Sequence, residues 1–256
     1  MTEHVPENPS AGRDADDDLD LKRSLAGLAQ LALGVAPLAA SLERIASLAA
    51  QAIPGADGAG LTMLEDRRAE TIVMSAPFVR EIDGIQYGIG EGPCITAAAE
   101  GRTVRSGELG EDPSWPSFGP RAAALGVHSV LSLPLILGGE VLGALNVYAH
   151  RPDAFTDHAA TLGEVFALSA AVSVHNARVL TQAQRLAGQL QTALTNRAVI
   201  DQAIGILISR QGGGADEAFA ALRGMSQSQN VKLAAVAERV VDEAARRARA
   251  RRPPRP

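Results

Sequence analysis

The chain has 256 residues, 46% hydrophobic and 21% charged, a soluble globular mixture long enough to bury one large or two small cores. With five phenylalanines, two tyrosines and one tryptophan, those cores must come from Ala, Leu, Val and Ile, residues that favour long helices. A single cysteine excludes an intramolecular disulfide and a cysteine-rich zinc cluster and fits a reducing, cytoplasmic setting, while the acidic start and the lack of any run of about 18 apolar residues argue against export and membrane spanning.

The formal net charge of −5 hides a polar asymmetry, because the acids gather at the front (Glu3, Glu7, Asp14, Asp16, Asp17, Asp18) and arginines at the back. Residues 1–18 read as a disordered acidic head with no site in it. Residues 19–35 read as a helix with Leu21, Leu25 and Leu28 on one face, broken at Pro37. A second helix carrying Leu42, Ile45 and Leu48 stops at Ile53-Pro54-Gly55. The texture then changes to short β-prone runs, Ala59–Leu64, Glu70–Ala76, Thr103–Ser106, Ser129–Leu137 and Val141–Tyr148, punctuated by Gly, Pro and Asp. Gly138-Gly139 predicts a hairpin, since primed turns need positive φ at both central positions. The fold class expected is α+β, a small antiparallel sheet with flanking helices followed by a long helical block.

From Asp157 onward the pattern is helical, interrupted only at Gly212-Gly213-Gly214 and around Ser226–Asn230. Val165, Val172, Val179, Leu186, Ala193, Ile200 and Leu207 fall seven apart, as a coiled-coil seam requires. A companion seam of Leu162, Ser169, Asn176, Ala183, Leu190, Arg197 and Ile204 is mixed, and its polar members can fix register and oligomeric state. The seam predicts a homodimer through one helix of ~80 Å, with Gly188 its weak point. In the alternative, the first half packs on the sheet and only the second half meets another chain. The end, 244–256, holds six arginines and no acid, a basic tail that either attracts phosphates without sequence preference or is simply solvated.

Two families are resembled. Ile53-Pro-Gly-Ala-Asp-Gly-Ala-Gly-Leu61, Gln86-Tyr-Gly-Ile-Gly-Glu-Gly-Pro-Cys94, Ser132-Leu-Pro-Leu135 and Leu142-Gly-Ala-Leu-Asn-Val-Tyr148 resemble the GAF sensor domains of actinobacterial regulators, over residues 36–180. Arg197-Ala-Val-Ile-Asp-Gln-Ala-Ile-Gly-Ile-Leu207, Glu217-Ala-Phe-Ala-Ala-Leu-Arg223 and Asn230-Val-Lys-Leu-Ala-Ala-Val-Ala237 resemble the ANTAR domain, a three-helix RNA-binding module, over residues 181–243. Together they imply a dimeric transcription antitermination regulator whose paired ANTAR domains hold tandem RNA hairpins. A small-molecule ligand at the GAF domain belongs to the same expectation; no cofactor, metal or membrane does. The resemblance departs at Ile204, where many ANTAR sequences have Lys.

The candidate RNA contacts are Arg197, Gln202, Ala203, Gly205, Arg223, Asn230 and Lys232. Arg197 and Lys232 suit phosphate or base edges, and Ala203 with Gly205 suits close approach. Arg197 serves equally as a seam residue, and Ser226 and Asn230 suit caps better than contacts. The segment 186–243 carries a net charge of −1, so the alternative of a helical module that docks a protein partner stays open. Cys94, Gly92 and Tyr87 mark a sensor pocket or redox site: Cys94 begins a helix, where the dipole lowers a thiol pKa, or else it is a small packing residue. The lone cysteine rules out a two-cysteine reductase cycle. No paired carboxylates, phosphate loop or nucleophile motif supports an enzyme.

Overall fold

The computed structural model describes residues 9–33, 37–65 and 68–250. Two helices come first, α1 (Pro9–Leu33) and α2 (Leu38–Ala52). The strands are β1 (Gly58–Glu65), β2 (Arg68–Met74), β3 (Val104–Ser106), β4 (Ser129–Leu137) and β5 (Glu140–Ala149). Short helices α3 (Pro77–Ile89), α4 (Pro93–Glu100) and α5 (Gly119–Ala124) lie between β2 and β4. The C-terminal half is α6 (Asp157–Gln211), α7 (Ala215–Gln229) and α8 (Leu233–Ala250). Contacts divide the chain into two units that meet in sequence at Thr181 and Gln182.

In the first unit the five strands form one antiparallel sheet in the order β2-β1-β5-β4-β3. Gly138 and Gly139 make the β4–β5 turn with φ of 61° and 85°, as the primed hairpin demands. Strand alternation covers both faces. Leu61, Met63, Leu131, Leu133, Leu145 and Val147 point into a core closed by α1, α2 and α6. Val130 and Tyr148 join Val79, Ile82, Ala97 and Phe118 in a second core under α3, α4 and α5. The face of α6 that meets the sheet is Leu162, Phe166, Ala170 and Val174, each four residues on and all buried, the stripe a straight helix presents to a flat neighbour.

The acidic head departs from expectation. Residues 1–8 lie outside the described residues, but 9–18 are the first turns of α1, which therefore begins well before residue 19. Buried Leu21, Ser24 and Leu28 anchor the helix. Asp17 also approaches His158 of α6, at 3.8 Å. At the other end α8 runs to Ala250, so residues 244–250 of the expected tail are helix, and 251–256 lie outside the described residues.

In the second unit the end of α6 packs with α7 and α8 around Ala203, Leu207, Leu222, Val236 and Ala237. Gly212 and Gly213, at φ of 76° and 85°, end α6, and Asn230 in the left-handed region ends α7. The expected seam consequently stops short. Val172 and Val179 are 45% and 49% exposed and Leu186 57%, and Ala193 is exposed. Ile200 is partly covered and Leu207 buried within this three-helix core, where α7 and α8 occupy the face a second chain would have needed. Gly188 does not interrupt α6.

Phe166→Ala should lower the unfolding free energy of the first unit by about 3–5 kcal/mol, through lost burial and the cavity left behind. Leu125→Ala, at a position 45% exposed and off α6, should change it by less than about 1 kcal/mol. Denaturation followed by the fluorescence of Trp115, the single tryptophan and a buried member of this unit, measures both.

Candidate functional site

Beside the second core of the sheet domain lies a cleft of about 770 Å³. Thr62 and Leu64 of β1 and Ala144 of β5 form its floor, and Tyr87 closes one side from α3. Cys94, Ile95, Ala98 and Ala99 of α4 form a mostly apolar wall, and Gly139, Glu140 and Val141 of the hairpin stand at its edge. Thr62 Oγ1 lies 2.5 Å from Tyr87 Oη, which in turn lies 3.1 Å from Cys94 Sγ. Tyr87 and Cys94, singled out in the sequence, thus meet in one place. Gly92 is not part of the lining. It precedes α4 at φ 154°, and a Cβ there would lie 2.3 Å from Gln86 Oε1, so the side chain is absent to let Gln86 in.

Gln86 belongs to a buried polar network. Its Oε1 accepts the Cys94 backbone N–H at 2.9 Å, one of the donors that a helix start leaves unsatisfied. Its Nε2 donates to Tyr148 Oη at 2.7 Å and to Asp83 Oδ1 at 3.1 Å. The same Asp83 oxygen accepts Tyr148 O–H at 2.6 Å and Asn146 N–H at 3.3 Å, and Ser132 O–H holds the Asn146 amide oxygen at 2.9 Å. Asp83 Oδ2 has no hydrogen-bond partner among the described residues. Burial is the main cause that pushes the Asp83 carboxyl up to about 6, against the lowering effect of its three donors. This network was missed in the sequence. The available signal was polar residues at alternate strand positions, Asn146 and Tyr148 with Ser132 across from them, on a face otherwise apolar.

Of the two readings of Cys94, a thiol depressed by the start of α4 and a small packing residue, the surroundings suit the second: burial pushes the Cys94 thiol up to about 11, and the Asp83 carboxylate adds to the rise. Desolvation outweighs one short helix whose first N–H is already taken by Gln86. Burial likewise holds the Tyr87 hydroxyl far above its usual range. Burial therefore favours the neutral forms of the hydroxyl and thiol groups in the cleft.

In the second unit Gln202 and Gly205 share an exposed face of α6 with Ser209, beside a shallow groove of about 500 Å³ closed by Val241 and Ala244 of α8. Arg197 is 83% exposed along its side chain, with Asp201 at 3.9 Å. The Arg223 guanidinium lies 5.1 Å from the centre of the Phe219 ring, and Lys232 is exposed just before α8. Ala203 is fully buried and cannot touch a ligand; its methyl is core. Asn230 ends α7, and the Ser226 hydroxyl donates to the Val231 carbonyl at 2.6 Å, so both serve the turn.

The Asp83 carboxyl gives a signed test. In the folded chain it binds its proton more tightly than at its ordinary value of 3.8. Its contribution to stability is therefore fully present below pH ~4 and is lost as the pH rises through ~6, a swing of about 3 kcal/mol. Asp83→Asn removes the titration, so the variant should gain on the parent by about that amount between pH 4 and pH 7. Equal pH slopes in chemical denaturation of the two proteins would contradict the assignment.

Comparison with known proteins agrees with this division. The GAF domain family matches residues 36–175 and the ANTAR domain family residues 188–241. Among solved structures, free methionine-R-sulfoxide reductase from Neisseria meningitidis, in complex with its substrate, is 18% identical at a TM-score of 0.50, covering 70% of this chain and 97% of its own. The GAF domain of a phosphoenolpyruvate-protein phosphotransferase from Coxiella burnetii is 19% identical at a TM-score of 0.49, covering 63% and 96%. At such identities the likeness is one of fold. No match was found among curated proteins. No helix among the described residues is long and apolar enough to cross a membrane. The chain belongs to the GAF-domain family and carries an ANTAR domain behind its sensor fold, the architecture of a regulator of the antitermination type.

Proposed function

We propose that the chain is a signal-responsive, RNA-binding transcription antitermination regulator, in which occupancy of the GAF cleft controls a dimeric ANTAR module that binds RNA hairpins near a terminator. The observation that carries this reading is the presence in one chain of both domains. The exposed Arg197, Gln202, Gly205, Arg223 and Lys232 supply polar contacts, and the arginines at the end of α8 add sequence-independent attraction. The module has no Trp or Tyr and a single Phe, so bases would be read by hydrogen bonding and close backbone approach instead of by an aromatic platform.

Homodimerisation is supported by the apolar stripe on α6. Val165, Leu168, Val172 and Val179 in the first unit, and Leu186, Leu190 and Leu194 in the second, are all more than a third exposed. Val165, Leu168, Val172, Val179 and Leu186 keep the three-, four- and seven-residue spacing of a seam in want of a partner helix, and Leu190 and Leu194 add further exposed apolar surface. A regulator and not an enzyme is the reading favoured by a high thiol pKa, a single cysteine and the lack of a base beside a nucleophile among the described cleft residues. One observation keeps a second reading alive: the net charge of −1 over 186–243 suits a protein partner as well as RNA.

Gel shifts against tandem-hairpin leader RNAs test both. Lys232→Ala should reduce the preference for a cognate loop over a scrambled one by about 1–3 kcal/mol. Val172→Asp with Val179→Asp should yield a monomer by light scattering with the fold of each unit intact, because neither side chain is core, and should abolish paired-hairpin binding. A chain that binds no RNA but pulls down a protein through residues 186–243 would favour the second reading, and a wild-type monomer at micromolar concentration would refute the seam.

A further inference from the structure

The cleft in the GAF domain has a chemistry of its own. Its inner end is the Thr62, Tyr87 and Cys94 group, joined by contacts of 2.5 and 3.1 Å. Each hydroxyl oxygen offers two lone pairs and one proton, so the two contacts leave at least two oxygen lone pairs unused whichever way the protons run. Nothing in this group carries positive charge. Behind it Asp83, fully buried with one carboxyl oxygen unpartnered, acts with negative sign on both Tyr87 and Cys94. At the mouth Glu140 is the one charged side chain among the described residues that line the cleft. Between these ends Leu64, Ile95, Ala98 and Val141 give an apolar passage.

We propose that this cleft takes a compact, mainly apolar molecule that presents an N–H donor to Thr62 and Tyr87 and carries no anionic group. An N–H proton fills the spare lone pairs, and the apolar body covers α4 and the hairpin without stranding a polar atom. A carboxylate or phosphate would instead enter a low-dielectric passage toward a second buried carboxyl, past Glu140 and with no cationic side chain among the described residues that line the cleft to receive it. The inference rests on the reading of the cleft as the sensor site and deepens it by naming the ligand class.

Three probes of matched shape decide the matter: indole, with a neutral N–H donor; indene, which lacks it; and indole-3-acetate, which adds an anion. Titrated into the full chain, indole should bind about tenfold more tightly than indene and at least about tenfold more tightly than indole-3-acetate. Thr62→Val should bring indole to within about twofold of indene. Ala98→Trp, which fills the passage from a partly buried position and leaves the Thr62–Tyr87 contact in place, should remove all binding while circular dichroism stays unchanged. Indole-3-acetate binding as tightly as indole would overturn the charge preference. Indene equal to indole in the parent protein would overturn the donor requirement. Binding that survives Ala98→Trp would place the probes elsewhere. Absence of binding by any probe at millimolar concentration, with RNA gel shifts intact, would overturn this inference and leave the regulator reading standing.

Discussion

Helix α6 must satisfy two cores with one periodicity. Its first turns bury Leu162, Phe166, Ala170 and Val174 on the sheet, and its last turns bury Ala203 and Leu207 against α7 and α8. Between them, residues 182–195 are exposed without exception. A helix in water is held mainly by the apolar face it packs, not by intrinsic propensity. Neither core supplies that face to Leu186, Leu190 and Leu194, which stand 56–64% exposed. Thr192 and Thr195 only return their hydroxyls to carbonyls four residues back in the same helix. The middle of α6 is thus the part of the helix that neither core covers, and the proposed homodimer would give it a second copy of the same stripe to pack on.

The way this helix divides its faces also explains where sequence reasoning failed. A straight α-helix drifts ~20° per seven residues, so a seven-residue spacing sustained over six heptads does not by itself keep one face, and Leu207, in the same arithmetic series as Val172, is taken up by the core of the three-helix module. Spacing alone cannot separate a supercoiled seam from two successive packings. The strands were easier, because Gly, Pro and Asp bracket each run and the branched residues between them have few alternatives. The helical state of residues 9–18 was hidden for the opposite reason: the acids carry no apolar signal, and what orders them is the docking of Leu21 and Leu28 further on.

The sensor cleft was legible in part. Tyr87 and Cys94 were visible as polar and thiol groups flanking a glycine-rich turn. Asp83, Gln86 and Tyr148 were not, because Gln86 and Tyr148 are 62 residues apart and only the sheet brings them together. Burial then reverses a local argument. The start of α4 alone would lower the Cys94 thiol, yet the N–H that would do so is bound by Gln86, and the apolar surroundings raise it instead. A thiol so placed is a ligand contact or a packing group.

Gln86 gives the cleft a connection to the sheet that no single contact would. One end of its amide holds the first turn of α4 through the Cys94 N–H, and the other end donates to both Asp83 and Tyr148. When Asp83 loses its proton, the bonds from Gln86, Tyr148 and Asn146 become charge-assisted and tighten, drawing on the same amide that positions α4. The Thr62–Tyr87–Cys94 group and the Asp83–Gln86–Tyr148 group are separate sets of contacts that share one residue, Cys94, by its thiol in the first and by its backbone N–H in the second.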